Sequence, residues 1–178
     1  VTEKQEEASN FLKDKSVFYY SIHRCYKRFM SLKKLNIAIV GATGFVGLDL
    51  VYYLSKHPKI SIKYLLAQKN TGKKIQTFDN RIKKKLPIIS KLQKVKWNEV
   101  DLVFLSLPNG EAQKLIKKLF KYKNLKFIDL SADFRIQNSK LYKKWYFINH
   151  RAKKLIKSSI YSISEFVGKN IRGFIYKL

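Results

Sequence analysis

The chain has 178 residues, 46% of them hydrophobic, which is enough for one domain with a real core and argues against disorder. No run of about 18 apolar residues occurs in the sequence, so no membrane-spanning helix or signal peptide is predicted. Because Cys25 is the only cysteine, we predict no disulfide, no metal site and a reducing, cytoplasmic setting. The formal charge of +26 suggests nucleic acid as a partner. The 32 lysines and 6 arginines are, however, spread along the whole chain and not gathered in one stripe, and no arginines are grouped to bind base edges. No nucleic-acid partner is therefore predicted.

The first 29 residues differ in character from the rest of the chain. An acidic start, residues 3–7, precedes an aromatic and basic segment, residues 17–29, and neither matches a strand of the predicted fold. Met30 is the only methionine and stands just before the first predicted strand. We therefore expect residues 1–29 to be a translated leader or a non-native extension. A short amphipathic helix or a targeting arm is the alternative, although the acidic residues argue against a mitochondrial presequence.

A glycine-rich turn follows the first apolar run, Leu35–Val40. The turn consists of Gly41, Ala42, Thr43, Gly44, Phe45, Val46 and Gly47. A strand, a glycine turn and a helix in this order are typical of dinucleotide binding. Gly41 permits the tight turn, Gly44 lets a pyrophosphate approach the backbone, and Gly47 lets the helix pack closely. Unpaired N–H groups and the helix dipole then favour phosphates at the helix N-terminus.

The next stretch has helical periodicity and leads into a second strand. Its apolar positions are Phe45, Leu48, Val51, Tyr52 and Leu54. The helix is predicted to end at residues 55–57, because Pro58 cannot continue it, and the second strand covers Ile60–Leu66. These elements complete a strand-helix-strand unit of roughly 30 residues.

The polar loop Ala67–Lys74 follows the second strand, where a nucleotide fold normally meets the adenosine ribose. An acidic residue here would bind the 2′-hydroxyl of NAD, and the loop contains none. Lys69 offers a positive charge to a 2′-phosphate, which favours NADP. The alternative interpretation is that Lys69 is one exposed lysine among many.

Residues 75–100 are weakly patterned. Pro87 predicts a loop or an edge strand rather than a central strand, because proline cannot donate to a sheet ladder. The basic run from Arg81 to Lys85 is interpreted as a solvated loop.

Regular signals return in the second half of the chain. A nearly continuous apolar run, Asp101–Leu107, predicts a strand of a parallel sheet and is ended by Pro108–Gly110. A helix over Glu111–Lys121 and a strand over Leu125–Leu130 follow. The apolar positions of this helix are Ala112, Leu115, Ile116, Leu119 and Phe120.

The loop after this last strand, Ser131–Arg135, combines a hydroxyl, a carboxylate and an arginine. Ligands of open parallel sheets bind at the carboxyl ends of the strands, where this loop is expected to lie. Arg135 could hold a phosphate or carboxylate by two parallel hydrogen bonds. In the alternative interpretation, Ser131 or Asp133 caps a following helix and Arg135 pairs with Asp133.

Three motifs together resemble N-acetyl-gamma-glutamyl-phosphate reductase, a family of arginine biosynthesis. They are Ile39–Gly47, Leu107–Gly110 and Asp129–Arg135, and the resemblance extends through Tyr142–Tyr146 and His150 to Tyr161, covering about residues 35–165. The Gly-Ala-Thr-Gly element is shared with aspartate-semialdehyde dehydrogenase, a relative of the same fold. The Leu-Ser-Ala-Asp-Phe-Arg string favours the reductase.

The resemblance implies a Rossmann-like, doubly wound and mostly parallel sheet. It also implies NADPH-dependent reduction of N-acetyl-glutamyl 5-phosphate to the semialdehyde, in which a cysteine thiolate attacks the acyl carbon and phosphate leaves. In this family the cysteine lies in an Asn-Pro-Gly-Cys-Tyr-Pro motif shortly beyond the segment matching Tyr161–Glu165. That motif is absent from the 178 residues. We therefore expect a chain truncated before its nucleophile and inactive by itself, with no catalytic residue to assign.

The same resemblance implies roles for individual residues. Gly41 to Gly47 would bind the pyrophosphate and Lys69 the 2′-phosphate. The residues bordering the dinucleotide would be Ser106, Leu107 and Pro108. Arg135, with Ser131, would face the acyl phosphate. The residues His150 and Tyr161 also match, and we expect them to be structural.

We predict three parts: residues 1–29, an NADP-binding domain over residues 30–165, and a truncated tail over residues 166–178. The second domain of the family, which carries substrate and subunit contacts, is expected to be largely missing. The full-length family form is expected to be a homo-oligomer. The alternatives are an aspartate-semialdehyde dehydrogenase relative and a non-catalytic basic binding module.

Overall fold

The computed structural model describes residues 34–161, which form one four-stranded sheet with all strands parallel, in the order β2-β1-β3-β4. The strands are β1 (Leu35–Val40), β2 (Ile60–Leu66), β3 (Leu102–Leu105) and β4 (Lys126–Asp129). The helices are α1 (Phe45–Ser55), α2 (Glu111–Leu119), α3 (Ser139–Tyr146) and α4 (Lys153–Ile156). Cys25, Met30, the predicted leader and the predicted tail from residue 166 lie outside the described residues.

The sheet is covered on both faces, which confirms the predicted doubly wound fold. Successive strand residues point to opposite faces. On one face, Ala38 and Val40 of β1 join a buried core with the apolar side of α2. On the other face, Ile37 and Ile39 are fully buried on the side where α1 packs against β1 and β2. Burial on both faces explains why β1 is nearly all apolar.

The strand order reverses between β1 and β3. The chain leaves β1 through α1 to β2 on one side, then crosses back to place β3 on the other side. Val40 pairs in register with Leu66 of β2 and with Leu105 of β3. The carboxyl ends of these three strands are therefore level, and the loops leaving β1 and β3 diverge from one crevice.

Residues 75–100 contain no named strand and only short 3₁₀ turns, as Pro87 predicted. The turns are Ile75–Thr77, Leu92–Lys94 and Trp97–Glu99. Ser90 forms one isolated parallel bridge with Leu66, so this segment flanks the carboxyl end of β2. Among residues 34–161, no helix has the length and apolarity needed to cross a bilayer.

Arg81, Lys83, Lys84 and Lys85 are exposed, as expected of a solvated loop, and Arg81 in addition makes specific contacts. Its guanidinium group pairs with Asp79 at 2.7 Å and with Asp49 of α1 at 2.6 Å. It also lies over the ring of Tyr52, 4.8 Å from the centroid. Its hydrogen bond lowers the pKa of Asp79. Because α1 presents both a carboxylate and a ring, this arginine fastens the loop to the outer side of the helix.

Several predicted boundaries and one predicted face need correction. The periodicity assigns Phe45 to the apolar face, but its side chain is 95% exposed because it lies in the first turn of α1, and Leu50 takes the core position. Helix α2 ends at Leu119, which leaves Phe120 half exposed beyond it. The strand predicted over residues 101–107 covers only Leu102–Leu105, and one further hydrogen bond from the N–H of Ser106 extends its pairing with β1.

Candidate functional site

The glycine turn leaves β1 in a conformation that requires glycine. Gly41 has a φ of +83°, in the left-handed region that disfavours other residues. Its N–H and that of Ala42 both donate to the carbonyl oxygen of Leu66, at 2.8 and 3.1 Å. A Cβ atom at Gly41 would collide with the carbonyl oxygen of Ser106. The tight turn predicted for Gly41 is therefore present, and it is wedged between the ends of β2 and β3.

The other two glycines differ in how much room they have. A Cβ atom on Gly47 would collide with the carbonyl oxygen of Gly41, so the first turn of α1 packs directly on the end of β1. A Cβ atom on Gly44 would meet only that same oxygen, at 3.4 Å. Gly44 is thus free on its other sides, and the fold by itself does not require a glycine there.

The N-terminus of α1 is open to an anion. Gly44 is its N-cap and has no side chain to offer, and the first turn contains no acidic residue. Phe45 and Val46 of this turn are exposed. The first backbone N–H groups of a helix have no partner within it, and the helix dipole adds positive potential there. The turn therefore presents both features that bind phosphate.

The loop after β2 places Lys69 at an exposed tip. Asn70 has a φ of 66°, and the N–H of Gly72 donates to the carbonyl oxygen of Ile89 at 2.8 Å, so backbone hydrogen bonds hold the loop against the later segment that contains Ile89. The side chain of Lys73 donates to Asn70 Oδ1 at 3.3 Å. Within residues 34–161, Lys69 has no ion pair, which leaves its ammonium group available to a ligand.

The loop after β3 lies against the glycine turn. The N–H of Ser106 donates to the carbonyl oxygen of Val40 at 2.9 Å, which continues the pairing of β3 with β1 by one residue. Leu107 is partly buried and Pro108 is exposed. Gly110 then adopts a φ of 86° and forms the N-cap of α2. The structure thus brings residues 106–108 and the glycine turn together at the crevice.

Asp133 caps a helix, but not the one predicted. The predicted target was the following helix, α3, which is instead capped by Asn138 through its contacts with the N–H groups of Lys140 and Leu141. Asp133 reaches back to the preceding helix α2, where Oδ1 accepts from the N–H of Gly110 at 2.6 Å. Sequence spacing alone could not reveal a capping residue 23 positions away.

Buried side chains complete this cap. Oδ1 of Asp133 also accepts from Tyr142 Oη at 2.7 Å and from Gln113 Nε2 at 2.9 Å, and Oδ2 accepts from the Gln113 N–H at 3.1 Å. Gln113 Nε2 also donates to Tyr142 Oη, and its Oε1 accepts from the N–H of Arg151 at 2.6 Å. Sequence reasoning missed Gln113, and the only signal was a polar residue next to the apolar positions of α2.

His150 supports Asp133 from the other side. Its Nδ1 accepts from the N–H of Ala152 at 3.1 Å, so the ring proton must lie on Nε2, which donates to the carbonyl oxygen of Asp133 at 2.9 Å. Burial lowers the pKa of His150, which agrees with a neutral ring. Both ring nitrogens are used within the fold, as expected for a structural histidine.

Ser131 is held by two neighbours. Its hydroxyl donates to Asp129 Oδ2 at 2.9 Å and accepts from the N–H of Asp133 at 3.1 Å. Burial raises the pKa of Asp129 to about 6, although the hydrogen bonds from Ser131 act in the opposite direction. The single proton of the Ser131 hydroxyl is therefore committed to Asp129 in this conformation.

Arg135 does not pair with Asp133, so that alternative interpretation is wrong. The carboxylate is already surrounded by donors, and the Arg135 guanidinium group lies over the ring of Tyr161, 5.3 Å from the centroid. Arg135 is exposed. A guanidinium group that stacks on a ring keeps its N–H edge for an anion. No cluster of three potential metal ligands occurs among residues 34–161.

Comparison with known proteins agrees with this geometry. The family model described as semialdehyde dehydrogenase, NAD binding domain, matches residues 36–173. The N-acetyl-gamma-glutamyl-phosphate reductase of Paracoccus denitrificans is 37% identical over 140 residues, which are 78% of this chain and 40% of that protein. The protein of the same name from Ehrlichia canis is 38% identical over 141 residues, again 78% and 40% of the two chains.

Other similar proteins also match most of this chain with only about a third of their own length. The probable chloroplastic N-acetyl-gamma-glutamyl-phosphate reductase of Oryza sativa is 35% identical over 79% of this chain and 34% of its own length. Among solved structures, aspartate semialdehyde dehydrogenase with NADP from Candida albicans aligns with 60% of this chain and 32% of its own, at 23% identity and a TM-score of 0.45. The chain spans at most about 40% of the length of these relatives.

Proposed function

Because the chain belongs to the semialdehyde dehydrogenase family through its NAD-binding domain, we propose that residues 34–161 bind NADPH across the carboxyl ends of β1, β2 and β3. The observation that carries this proposal is the open, acid-free N-terminus of α1 behind a turn that only glycine can form. This is the backbone arrangement that binds a pyrophosphate in nucleotide folds.

We assign a part of the dinucleotide to each group of residues predicted to bind the cofactor. The residues Gly41, Ala42, Thr43, Gly44, Phe45, Val46 and Gly47 bind the pyrophosphate. Lys69, at the end of β2, binds the 2′-phosphate of the adenosine half. Residues 106–108 border the dinucleotide on the β3 side.

We further propose that the complete protein reduces N-acetyl-glutamyl 5-phosphate, a small-molecule acyl phosphate, to the semialdehyde with release of phosphate. The identities of 35–38% to proteins named for this reaction support the assignment. The bound nicotinamide would supply the hydride. The exposed guanidinium group of Arg135, together with Ser131, faces the phosphoryl group, and Ser131 Oγ also accepts from the N–H of Asp133 in the same loop.

We place the cofactor domain at residues 30–165 and assign no catalytic residue within it. The family chemistry needs a thiolate, which favours a reducing compartment such as the cytoplasm. A homo-oligomer is proposed for the full-length form.

Charge reversal at Lys69 tests the cofactor assignment. Lys69→Glu is expected to weaken NADPH binding at least about tenfold, because a paired phosphate charge becomes a repelled one, while NADH binding changes little. Lys83→Glu is the matched control, since Lys83 is an exposed lysine of another loop and carries the same change in net charge. Equal loss of NADPH affinity in both variants would show that only the overall charge attracts the ligand.

A further inference from the structure

The strand order fixes where the nicotinamide half of the dinucleotide lies, if the proposed function holds. With the 2′-phosphate at the end of β2 and the pyrophosphate at the end of β1, the molecule continues in the same direction along the sheet edge. The next strands in that direction are β3 and β4. The surface below the nicotinamide half is therefore made by the loops that leave these two strands.

These two loops are joined by a single buried carboxylate. Asp133 belongs to the loop after β4, yet its Oδ1 accepts from the N–H of Gly110, where the loop after β3 enters α2. The turn at Pro108–Gly110 is closed by the N–H of Glu111, which donates to the carbonyl oxygen of Pro108 at 3.2 Å. Asp133 is completely buried, so solvent cannot replace it as the acceptor.

The backbone of Asp133 is itself fixed on both sides. Its N–H donates to Ser131 Oγ at 3.1 Å, and its carbonyl oxygen accepts from His150 Nε2 at 2.9 Å. Tyr142 and Gln113 fill the remaining donor positions around the carboxylate. The position of the Pro108–Gly110 turn is thus set by the loop that carries Arg135.

We propose that Asp133 is a positioning residue for the dinucleotide site: it holds the Pro108–Gly110 turn in place beneath the nicotinamide half. It touches neither cofactor nor substrate, and it acts through Gly110. Four N–H and O–H groups donate to its carboxylate. An asparagine keeps the shape of the residue but turns one acceptor into a donor, which then faces another donor.

The test compares two ligands on the 178-residue chain by calorimetric titration. NADPH needs the whole site, whereas adenosine 2′,5′-bisphosphate has no nicotinamide and reaches only the glycine turn and Lys69. Asp133→Asn is expected to weaken NADPH binding roughly tenfold, the effect of losing hydrogen bonds to a charged group, and to change bisphosphate binding by less than about twofold. A merely structural loss would weaken both ligands equally.

Two further variants keep the test decisive. Tyr142→Phe preserves the packed ring and removes only one donor to Asp133, so it is expected to fold and to weaken NADPH binding by roughly threefold, with bisphosphate binding unchanged. Asp79→Asn is the control, because Asp79 is another buried carboxylate and its hydrogen-bond partner is Arg81. It should lower the melting temperature and leave both affinities unchanged.

The outcomes separate this inference from the function on which it rests. If the wild-type chain binds neither ligand, the dinucleotide site is refuted and the role of Asp133 falls with it. If the wild-type chain binds both ligands, and Asp133→Asn and Tyr142→Phe weaken both equally or neither, only the positioning role is refuted. Selective loss of NADPH affinity in both variants supports it.

Discussion

At the scale of single residues, Gly41 and Gly72 form a natural pair for comparison. Both have a left-handed φ, +83° and +86°, but a Cβ atom at Gly72 would meet nothing within 4 Å, whereas at Gly41 it would collide with the Ser106 carbonyl. The glycine motif therefore reflects crowding as well as backbone conformation. A sequence pattern can indicate the conformation, but the crowding depends on the segment after β3, which lies far along the chain.

The pair yields a prediction for stability. Gly72→Ala should lower the free energy of unfolding by about 1 kcal/mol, the strain of a left-handed alanine. Gly41→Ala should lower it by more than about 3 kcal/mol, because backbone atoms must also move. Urea unfolding of both variants measures the difference. Equal losses would contradict the close approach of β3 to the turn.

Asp129 yields a prediction for the pH dependence of stability. Because its pKa is raised to about 6, mainly by burial, the folded chain binds the proton more tightly than the unfolded chain. This stabilisation is fully present below about pH 4 and is lost as the pH rises through about 6. Relative to wild type, Asp129→Asn should therefore gain on the order of 2 kcal/mol between about pH 4 and about pH 7. Parallel stability curves for the two proteins would contradict it.

At the scale of secondary-structure elements, the centres of strands and helices were predictable and their ends were not. Strand β2 has the predicted bounds, because its apolar run starts after Pro58 and Lys59 and is followed by the largely polar loop over residues 67–74. The predicted end of β3 was wrong, since Leu107 belongs to the apolar run but the strand ends at Leu105. An apolar pattern indicates which residues are buried, and residues beyond the end of a strand can also be buried, so the pattern does not fix where the strand ends.

Helix caps show the same limit. In the alternative interpretation of the sequence, Ser131 or Asp133 caps the following helix, but the residue found at the N-cap of α3 is Asn138. All three are good capping residues, so residue type alone could not distinguish them. Only the tertiary structure assigns Asp133 to α2, because its partners lie on a helix that precedes it in the chain.

The observed cap of α3 can be tested directly. Asn138→Ala should destabilise the chain by about 1 kcal/mol, because the N–H groups of Lys140 and Leu141 lose their side-chain acceptor. Asn138→Ser keeps an acceptor and should cost less than half as much. Thermal unfolding compares the two variants. A serine as harmful as alanine would show that Asn138 acts through something other than capping.

At the scale of the whole molecule, the fold followed from the alternation of apolar runs and helical periods. Strand β1, α1 and β2 predicted the parallel unit, and the order β2-β1-β3-β4 then places the glycine turn at the reversal point. The contacts between distant loops could not be predicted this way. Gln113, Asp133, Tyr142 and His150 come together only because α2 and α3 pack beside the same loop.

The charge of the whole chain makes specificity the central question. A formal charge of +26 attracts any anion, so binding of a phosphate compound alone would not identify a dinucleotide site. Attraction of that kind is screened by salt and does not depend on one glycine. A specific site depends on the space above Gly44, where the structure leaves room beside the α1 N-terminus.

The most direct measurement is therefore titration of the chain with NADPH at about 0.15 M salt, where distant charges are largely screened, alongside the variant Gly44→Glu. We expect saturable binding to the wild-type chain and a loss of affinity of at least about a hundredfold in the folded variant, because a carboxylate occupies the pyrophosphate position. No saturable binding to the folded wild-type chain, or equal binding to the variant, would contradict it.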